Sequence, residues 1–596
     1  MFRIRRIYDA VLPINKRAID EVQSILRTQI VGLDPAEIAA LPDKMQNPLR
    51  YRFRSILFLA EGNRQSIKGF ALLTHEPEMH FCFLDYISTS PTKTGGGVGG
   101  ALYERVRFEA LSLGAIGLFF ECLPDDPSMC AETELLRQNK ARLRFYEGFG
   151  ARPIAGTGYQ DPVSTKDTCP PLLVFDDLGR DRPLRRAEAR RVVRAILERK
   201  YADLATPAYI QRVVRSFRDD PVRLREPRYA GENHSFAPSP EAPPDRRIAL
   251  VVNDRYEIHH VRERGYVESP VRVKSLLRGI EPTGLFARMP VRHFSDEHLL
   301  AVHDKDFYEY LKRVCRNVEP GKSVFPYVFP LRNAARPPRE LSVRAGYYCI
   351  DTFTPLNRNA FLAARRAVDA TLTAAQALLD GARLAYALVR PPGHHAERRA
   401  FGGFCYFNST AIVAHYLSRT GKVAILDLDY HHGNGQQVIF ARRRDVLTVS
   451  IHGHPSVAYP YFSGFAEETG EGPGKGFNVN YPLPETIDAA RFRKTLQAAL
   501  ARVAAFAPRY LVVALGFDPA KGDPTGTWPL LAADFGHNGR MVGALRLPTL
   551  VVQEGGYKTR MLGANARAFF TELWNATFDN KRPASLKPPT PKVPSP

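Results

Sequence analysis

Four short apolar runs in the second half of the chain predict buried strands. Each consists mainly of Val, Ile, Leu and Ala, the pattern typical of a strand covered on both faces of a parallel sheet. The runs and the polar residues that close them occupy residues 385–395, 422–431, 510–518 and 548–557. Because ligands of open α/β sheets bind outside the carboxyl ends of the strands, we expect a site where these runs end.

The polar residues at these strand ends are of types that bind metals and transfer protons. They are His394 and His395, then Asp427, Asp429 and His431, then Asp518, and finally Tyr557. In extended backbone, Asp429 and His431 point the same way and can share one ion, with Asp427 one step deeper. A carboxylate and an imidazole with room for another ligand suit zinc in an open catalytic site, or iron(II). One aspartate after a strand is often only a turn or cap residue, but four such strand ends together favour a site.

Six motifs in residues 246–575 carry a resemblance to a known family. They are RPPGHHA, GGFCYFN, LDLDYHHGNG, SIHGHP, ALGFDPAKGDPTG and QEGGY. This half of the chain resembles the zinc-dependent histone deacetylases and acetylpolyamine amidohydrolases. The resemblance implies an α/β fold of the arginase and deacetylase type, with a parallel sheet and helices on both faces. It also implies that the chain hydrolyses acetylated amines.

The same resemblance implies roles for the strand-end residues. The metal ligands would be Asp429, His431 and Asp518. A general base and acid pair would be His394 and His395, and the substrate carbonyl would be polarised by Tyr557. A structural potassium ion is implied at Asp427, Asp429, His431 and Ser450.

Two further segments bear on the substrate. Residues 346–355 and 452–472 look most like those of acetylpolyamine amidohydrolases, so we expect a small acetylated amine, above all an acetylpolyamine. A lysine deacetylase acting on proteins is the alternative. Where polyamine-cleaving eukaryotic relatives have a gatekeeper glutamate, this chain has Thr525. Recognition of a distal ammonium would then fall to Glu319 or Glu340, unless both are ordinary surface charges.

Aromatic residues are expected to line the substrate tunnel. The resemblance places Phe404 and Tyr459 as its walls, with Tyr348 at the rim. Aromatic faces suit a methylene chain and tolerate a cation.

The first 175 residues predict an alternation of strands and helices. Strands are expected near residues 2–8, 55–60, 68–74, 80–88 and 116–121, and a helix near 15–29. A glycine-rich segment, TGGGVGGAL from Thr94, stands between a strand and a helix. Backbone N–H groups at such a helix start can bind a pyrophosphate, although the glycines also suit a plain tight turn.

This order of elements resembles the GNAT acyltransferase family, an α+β fold that binds acetyl-CoA. The resemblance implies that Gly95, Gly97 and Gly99 line the phosphates and that Asn139 and Tyr146 lie near the thioester. Thr94 replaces the family's usual Gln or Arg, which predicts a weakened or lost cofactor site. Glu121 is either a base for the amine or a paired strand residue. A non-catalytic acetyl-CoA sensor or structural module is therefore the alternative for this half.

Composition separates these two halves. We expect domains at residues 1–175 and 246–575, a basic helical connector and linker at 176–245, and a disordered Pro-rich tail at 576–596. The connector is dense in arginine, with apolar residues at helical spacing. An amphipathic helix explains that pattern, and nucleic-acid binding is the sharper alternative.

Charge, cysteine content and hydropathy limit the partners and the cellular compartment that we expect. The 596 residues carry a net charge of +21, and residues 246–596 hold 47 basic and 30 acidic side chains. No aromatic-basic recognition motif accompanies this excess, which argues against nucleic acid as a partner. Seven scattered cysteines indicate a reducing compartment. The sequence contains no run of 18 apolar residues, so we expect no membrane span. We therefore expect a cytoplasmic protein with a small-molecule substrate, and the sequence is compatible with a homo-oligomer.

Overall fold

A computed structural model describes most of the chain. The described residues are 3–29, 33–61, 67–89, 98–130, 133–161, 169–180, 182–229, 239–261, 266–329 and 335–578. The chain divides into two compact units, Met1–His234 with Glu263–Tyr266 (unit 1) and Ser235–Arg262 with Val267–Pro596 (unit 2). Among the described residues no helix is both long and apolar enough to cross a membrane.

Unit 1 is built on a seven-stranded sheet. Its strands are β1 Arg3–Ile7, β2 Arg54–Glu61, β3 Ile67–Glu76, β4 Phe81–Thr89, β5 Leu118–Cys122, β6 Arg152–Pro153 and β7 Leu172–Asp176. Its helices are α1 Pro13–Gln29, α2 Pro35–Ala39, α3 Leu41–Gln46, α4 Pro48–Tyr51, α5 Val98–Ser112, α6 Thr133–Glu147, α7 Arg186–Lys200 and α8 Pro207–Ser216. The five strands and the helix expected from the sequence are all present, which confirms the alternation read from the apolar pattern.

The order of the sheet in unit 1 is β1-β2-β3-β4-β5-β7-β6. All neighbouring pairs run antiparallel except β4 and β5, which run parallel. The parallel pairing joins residues 82–84 to residues 118–120, although both strands continue beyond it. The two strands therefore part in the middle of the sheet.

The arginine-dense segment forms two helices, α7 and α8, rather than a separate connector. Val193 and Ile196 of α7 and Val213 of α8 share one apolar core with Phe119 and Phe175 of the sheet. The apolar stripe that predicted an amphipathic helix is therefore buried against unit 1. The structure thus divides the chain near residue 234 instead of residue 175.

Unit 2 is built on an eight-stranded parallel sheet. Its strands are β8 Ile248–Val252, β9 Phe286–Met289, β12 Leu384–Leu388, β13 Val423–Asp427, β14 Val446–Gly453, β15 Asn478–Leu483, β16 Tyr510–Leu515 and β17 Thr549–Gln553. Two short strands, β10 Ser323–Val324 and β11 Leu356–Asn357, form a separate antiparallel pair. The helices are α9 Val271–Ile280, α10 Glu297–Leu300, α11 Lys305–Asn317, α12 Leu341–Tyr348, α13 Ala360–Leu379, α14 Ser409–Ser418, α15 Asn434–Phe440, α16 Ala489–Phe506, α17 Ala532–Gly543 and α18 Thr559–Phe578.

In β8, β12, β13, β16 and β17, alternate residues enter two different cores. Val423 and Ile425 of β13 pack into one core with α11, α13 and α14, whereas Ala424 and Leu426 pack into the other with α9, α16 and α18. Both faces are thus covered by helices, as the uninterrupted apolar runs predicted.

The sheet order is β15-β14-β13-β16-β17-β12-β8-β9, and all of its pairs are parallel. The four strands singled out in the sequence, β13, β16, β17 and β12, are consecutive neighbours. Their carboxyl ends therefore open on the same edge of the sheet, which is where the site residues follow.

Candidate active site

Two carboxylates and an imidazole meet where β13 and β16 end. Nδ1 of His431 lies 3.1 Å from Asp429 Oδ1 and 3.0 Å from Asp518 Oδ2. Asp429 and Asp518 are buried, the His431 side chain is 12% exposed, and one ligand atom from each lies within 4.8 Å of the others. This is a donor set that a divalent metal such as zinc uses, so the three residues fit the ion that the sequence predicted.

Backbone donors hold these carboxylates in place. Asp429 accepts the N–H of His431 at 2.9 Å and that of Gly555 at 2.8 Å, and Asp518 accepts the N–H of Tyr430 at 2.9 Å. A side chain at position 516 or 555 would collide with the site, because a Cβ on Gly516 would lie 2.2 Å from Asp429 Oδ2. Gly516 after β16 and Gly555 after β17 thus leave room for the acidic groups.

The electrostatics of this cluster favour a bound cation. Burial and the charge of Asp429 raise the pKa of Asp518 to about 7. Burial alone would lower the pKa of His431, but its hydrogen bonds to Asp429 and Asp518 raise it to about 10. Two buried carboxylates in contact with one imidazole therefore take up positive charge, here a proton, in the position where a metal would neutralise them.

The histidine pair carries two different partners. Nδ1 of His394 lies 3.0 Å from Asp427 Oδ2, and Nδ1 of His395 lies 2.8 Å from Asn434 Oδ1, with the two rings 4.0 Å apart. Burial opposes a charge on either ring, yet Asp429 and Asp427 raise the pKa of His394 to about 10. Burial, with the nearby His394 and His431, lowers the pKa of His395 well below its ordinary value. One imidazole is thus held charged and the other neutral, a division typical of acid and base partners.

Glu554 fixes the turn that presents the histidine pair. Its carboxylate accepts the N–H groups of Gly393 at 2.6 Å and His394 at 3.1 Å, and the hydroxyl of Thr410 at 2.8 Å. Because Glu554 directly follows β17, these bonds tie the turn after β12 to the neighbouring strand. Sequence reasoning missed this role, although a glutamate closing an apolar run was a signal for it.

Tyr557 is positioned by Arg272 and Asp523. The N–H of Tyr557 donates to Asp523 Oδ2 at 2.6 Å, and the Arg272 guanidinium lies 4.8 Å from the centre of the phenol ring. Arg272 also donates to the carbonyls of Gly556 at 2.6 Å and Glu554 at 2.5 Å. Burial raises the pKa of Tyr557 well above its ordinary value, so the hydroxyl keeps its proton and can act as a donor. No sequence motif indicated a role for Arg272, since it lies far from the motifs along the chain.

Aromatic rings surround the space in front of these groups. The ring of Phe404 lies 5.7 Å from that of Tyr557, and the ring of Tyr459 lies 4.8 Å from that of His395. Phe353 contacts both walls, at 5.7 Å from Phe404 and 5.6 Å from Tyr459. The structure therefore brings both expected wall residues to the site and adds Phe353, which the sequence did not single out.

Tyr348 makes its contacts elsewhere. Its ring stacks on Tyr310 at 4.7 Å within the core beside α11, and its hydroxyl donates to Asp306 Oδ2 at 3.1 Å. The structure thus packs the ring of Tyr348 against Tyr310, and its place at the rim of the tunnel stays a prediction.

The residues considered for ammonium recognition have partners of their own. Glu319 is exposed and pairs with Lys322 at 2.6 Å. Glu340 lies just before α12 and accepts the hydroxyl of Ser342. Thr525 donates its N–H and its hydroxyl to Asp523 Oδ1, each at 3.0 Å. The threonine therefore supports the carboxylate that positions the strand-end tyrosine.

The residues implied for potassium lie together on neighbouring strands. Asp427 of β13 is opposite Ser450 of β14 in the register of the sheet. Asp427 Oδ1 accepts the N–H of Asp429 at 3.0 Å, and the Ser450 hydroxyl lies 2.8 Å from His452 Nδ1. The potassium site stays a prediction on these neighbouring positions.

In unit 1 the structure describes part of the expected cofactor site. Gly95 and Gly97 lie outside the described residues, and Gly99 is in the first turn of α5. Asn139 is buried and donates to the carbonyl of Pro124 at 2.9 Å. Tyr146 packs among aromatic rings, 4.3 Å from Phe120, and burial raises its pKa.

Glu121 accepts two phenol hydroxyls. Tyr159 donates to it at 2.7 Å, and Tyr201 donates to its other oxygen. Of the two roles considered for this strand glutamate, the contacts match the paired one.

A parallel sheet with a buried metal donor set, a histidine pair and a phenol at its strand ends defines an α/β protein with a hydrolytic type of site. The family model of the histone deacetylase domain matches residues 266–573. The chain therefore belongs to the histone deacetylase family.

Similar proteins cover the same part of the chain. Acetylpolyamine amidohydrolase 2 of Pseudomonas aeruginosa is 38% identical over 54% of this chain and 96% of its own. The acetylpolyamine amidohydrolase of Burkholderia pseudomallei is 41% identical over 52% of this chain and 95% of its own. A crystal structure of the acetylpolyamine aminohydrolase from Burkholderia pseudomallei matches with a TM-score of 0.53 at 38% identity, covering 56% of this chain and 99% of that one.

Proposed function

We propose that unit 2 is a metal-dependent amidohydrolase that removes acetyl groups from small acetylated amines, above all acetylpolyamines. The observation that carries the proposal is the meeting of the triad Asp429, His431 and Asp518 with a histidine pair, one member of which contacts a carboxylate and the other an amide. The similar proteins named as acetylpolyamine amidohydrolases support the choice of substrate class. Hydrolysis of acetyl-lysine in proteins is the second candidate, since more distant relatives are named as histone deacetylases.

The triad would hold zinc, with iron(II) as the other ion that fits its ligands. When bound, the ion supplies a Lewis acid for the amide carbonyl and makes water acidic enough to react near neutral pH. The remaining work falls to side chains of this chain.

Proton transfer is assigned to the histidine pair. His395 is neutral, and its Nδ1–H donates a hydrogen bond to Asn434 Oδ1. Its Nε2 lone pair can therefore accept a proton from water. His394 keeps its proton between Asp427 and Asp429 and adds positive charge beside the reacting atoms. The amine leaves as it takes a proton from this pair.

The phenol and the aromatic walls complete the assignment. The Tyr557 hydroxyl, which stays protonated, donates to the oxygen that becomes negative as the amide carbon turns tetrahedral. Phe404 and Tyr459, with Phe353 between them, suit the methylene chain of a diamine. Of the two carboxylates considered for its distal ammonium, Glu340 is the better candidate, because Glu319 is already paired with Lys322.

Acetate release by the zinc-loaded chain tests the proposal. We expect acetylputrescine, acetylcadaverine and acetylspermidine to be hydrolysed, and the variant His395→Gln to be inactive while it retains the metal. If none of the three amines is cleaved by metal-loaded protein, the proposed function is wrong.

For unit 1 we propose a GNAT-like domain that binds acetyl-CoA, as the sequence resemblance implies. The mixed sheet supports this, since β4 and β5 run parallel and then part, and α5 begins just after the glycine-rich segment. The pairing of Glu121 with two phenols favours a sensor or structural module over an active acetyltransferase.

Calorimetry of the full chain with acetyl-CoA tests this second proposal. We expect weak binding, because Thr94 replaces the long polar residue of the family while the backbone donors of the glycine segment remain. The matched variant Gly97→Asp should abolish the heat by placing a negative side chain where the phosphates would lie. An absence of heat for the unaltered chain at millimolar acetyl-CoA would leave unit 1 without a cofactor role.

A further inference from the structure

His395 is linked to a second carboxylate through one amide. Asn434 Oδ1 lies 2.8 Å from His395 Nδ1, and Asn434 Nδ2 lies 2.7 Å from Glu397 Oε1. Asn434 is fully buried at the start of α15. The backbone of Glu397 is fixed as well, since its N–H donates to Ala400 and its carbonyl lies 2.8 Å from His303 Nδ1.

Because Asn434 is a carboxamide, the hydrogen-bonded link from Glu397 to His395 has a direction. The amide oxygen accepts hydrogen bonds and the amide nitrogen donates them, whereas an ionised carboxylate only accepts. Glu397 therefore selects the orientation in which Asn434 turns its nitrogen to the carboxylate and its oxygen to His395. In that orientation Nδ1 of His395 must carry the hydrogen, and the lone pair is left on Nε2.

A second acceptor, besides Glu397, also favours this orientation of the Asn434 amide. Asn434 Nδ2 also lies 3.3 Å from the carbonyl oxygen of His395. The bond to Glu397 is shorter and, with an ionised carboxylate, charge-assisted, a class of hydrogen bond about twice as strong as a neutral one. Loss of Glu397 should weaken the preference for this orientation without removing it.

We propose that Glu397 is a positioning residue that orients the Asn434 amide and thereby fixes the tautomer of His395 that leaves Nε2 free as a base. This rests on the proposed amide hydrolysis at the same site. His394 contacts a carboxylate directly, whereas the carboxylate behind His395 is one amide away. The proposal gives that intervening amide a role.

Three substitutions at one position test the orientation. Glu397→Gln offers an acceptor oxygen to Asn434 and should keep kcat close to that of the unaltered chain. Glu397→Leu should lower kcat about tenfold with little change in KM, because the substrate walls are untouched. Glu397→Lys presents a donor, turns the amide round and should lower kcat about a hundredfold, since a wrong histidine tautomer can cost up to ~10⁴ in kcat. Equal kcat in all three variants would overturn the inference.

The effect of Glu397→Gln on kcat, compared between the unaltered chain and the Asn434→Asp variant, separates an orienting role from a merely structural one. In Asn434→Asp two carboxylates face each other, so this variant should be impaired, and adding Glu397→Gln should raise its kcat. The same Glu397→Gln change should be nearly neutral in the presence of Asn434. A loss of similar size in both backgrounds would show that Glu397 only supports the fold.

The tautomer can also be observed without catalysis. In full-length, metal-free protein labelled with ¹⁵N-histidine, long-range ¹H–¹⁵N spectra should show His395 protonated on Nδ1, with the signal assigned through His395→Gln. Glu397→Lys should move the proton to Nε2. An unaltered chain that is inactive on all amines would sink the proposed function alone, whereas Nε2 protonation in its spectrum would overturn this inference whatever the activity.

Discussion

Asp518→Ala should fold but lose both its metal and its activity. The carboxylate supplies one of three buried ligands, and the remaining Asp429 and His431 leave a two-ligand site that binds zinc weakly. We expect less than a stoichiometric amount of metal by elemental analysis and no acetate release above background. The parent chain should hold one ion at this site.

A matched control guards against a general effect of removing an aspartate. Asp488→Ala removes an exposed carboxylate that accepts the N–H of Arg491 at 2.7 Å at the start of α16. This control should cost about 1 kcal/mol of stability, as caps do, and keep full metal content. Stoichiometric metal in Asp518→Ala would show that the ion lies elsewhere.

Tyr557→Phe should keep the metal and the fold while kcat falls by roughly 10²–10³, the range seen when one oxyanion donor is removed. The ring would still pack beside Phe404 and Arg272, so the loss is confined to the hydroxyl. KM should change little, since the donor acts mainly on the transition state. Steady-state kinetics on acetylputrescine, with metal content measured in parallel, checks this.

The control is a phenol at the opposite end of the sheet. Tyr510 begins β16, and its hydroxyl accepts that of Thr420 at 3.3 Å. Tyr510→Phe should leave kcat unchanged. Equal turnover in Tyr557→Phe and the parent chain would mean that this hydroxyl does not reach the reacting carbonyl.

Four of the eight strands in the sheet of unit 2 could be predicted from the sequence, together with residues that the structure brings together at their ends. Uninterrupted apolar runs predicted the parallel strands, and residues such as Asp429 and Asp518 could be located because they directly follow such runs. Their convergence follows from the parallel direction of adjacent strands, which the sheet order confirms.

The supporting residues could not be found in the same way, because their roles depend on contacts between distant segments. Arg272 reaches the carbonyl of Gly556, 284 positions away along the chain. Asn434 lies within the LDLDYHHGNG motif and Glu397 directly follows RPPGHHA, but only their distances show that they link a carboxylate to His395.

Packing partners could not be predicted for a similar physical reason. A tyrosine at a helix end can face the core or the substrate, and only the structure shows that the ring of Tyr348 stacks on Tyr310. The arginine-dense segment carried the pattern of an amphipathic helix, but the pattern does not say which surface covers the apolar stripe. The core beneath α7 and α8 supplied that answer.

The ratio of kcat/KM for acetylputrescine to that for an acetyl-lysine peptide, measured on the same zinc-loaded protein, decides between a small amine and a protein as the substrate. The basic excess of residues 246–596 opposes a polycation at long range, but salt screens that repulsion beyond about 8 Å at physiological ionic strength, so contacts inside the site decide. An acetylpolyamine amidohydrolase should give a ratio of ten or more, roughly 1.4 kcal/mol of transition-state preference. A ratio well below one would contradict this assignment and make the chain a protein deacetylase.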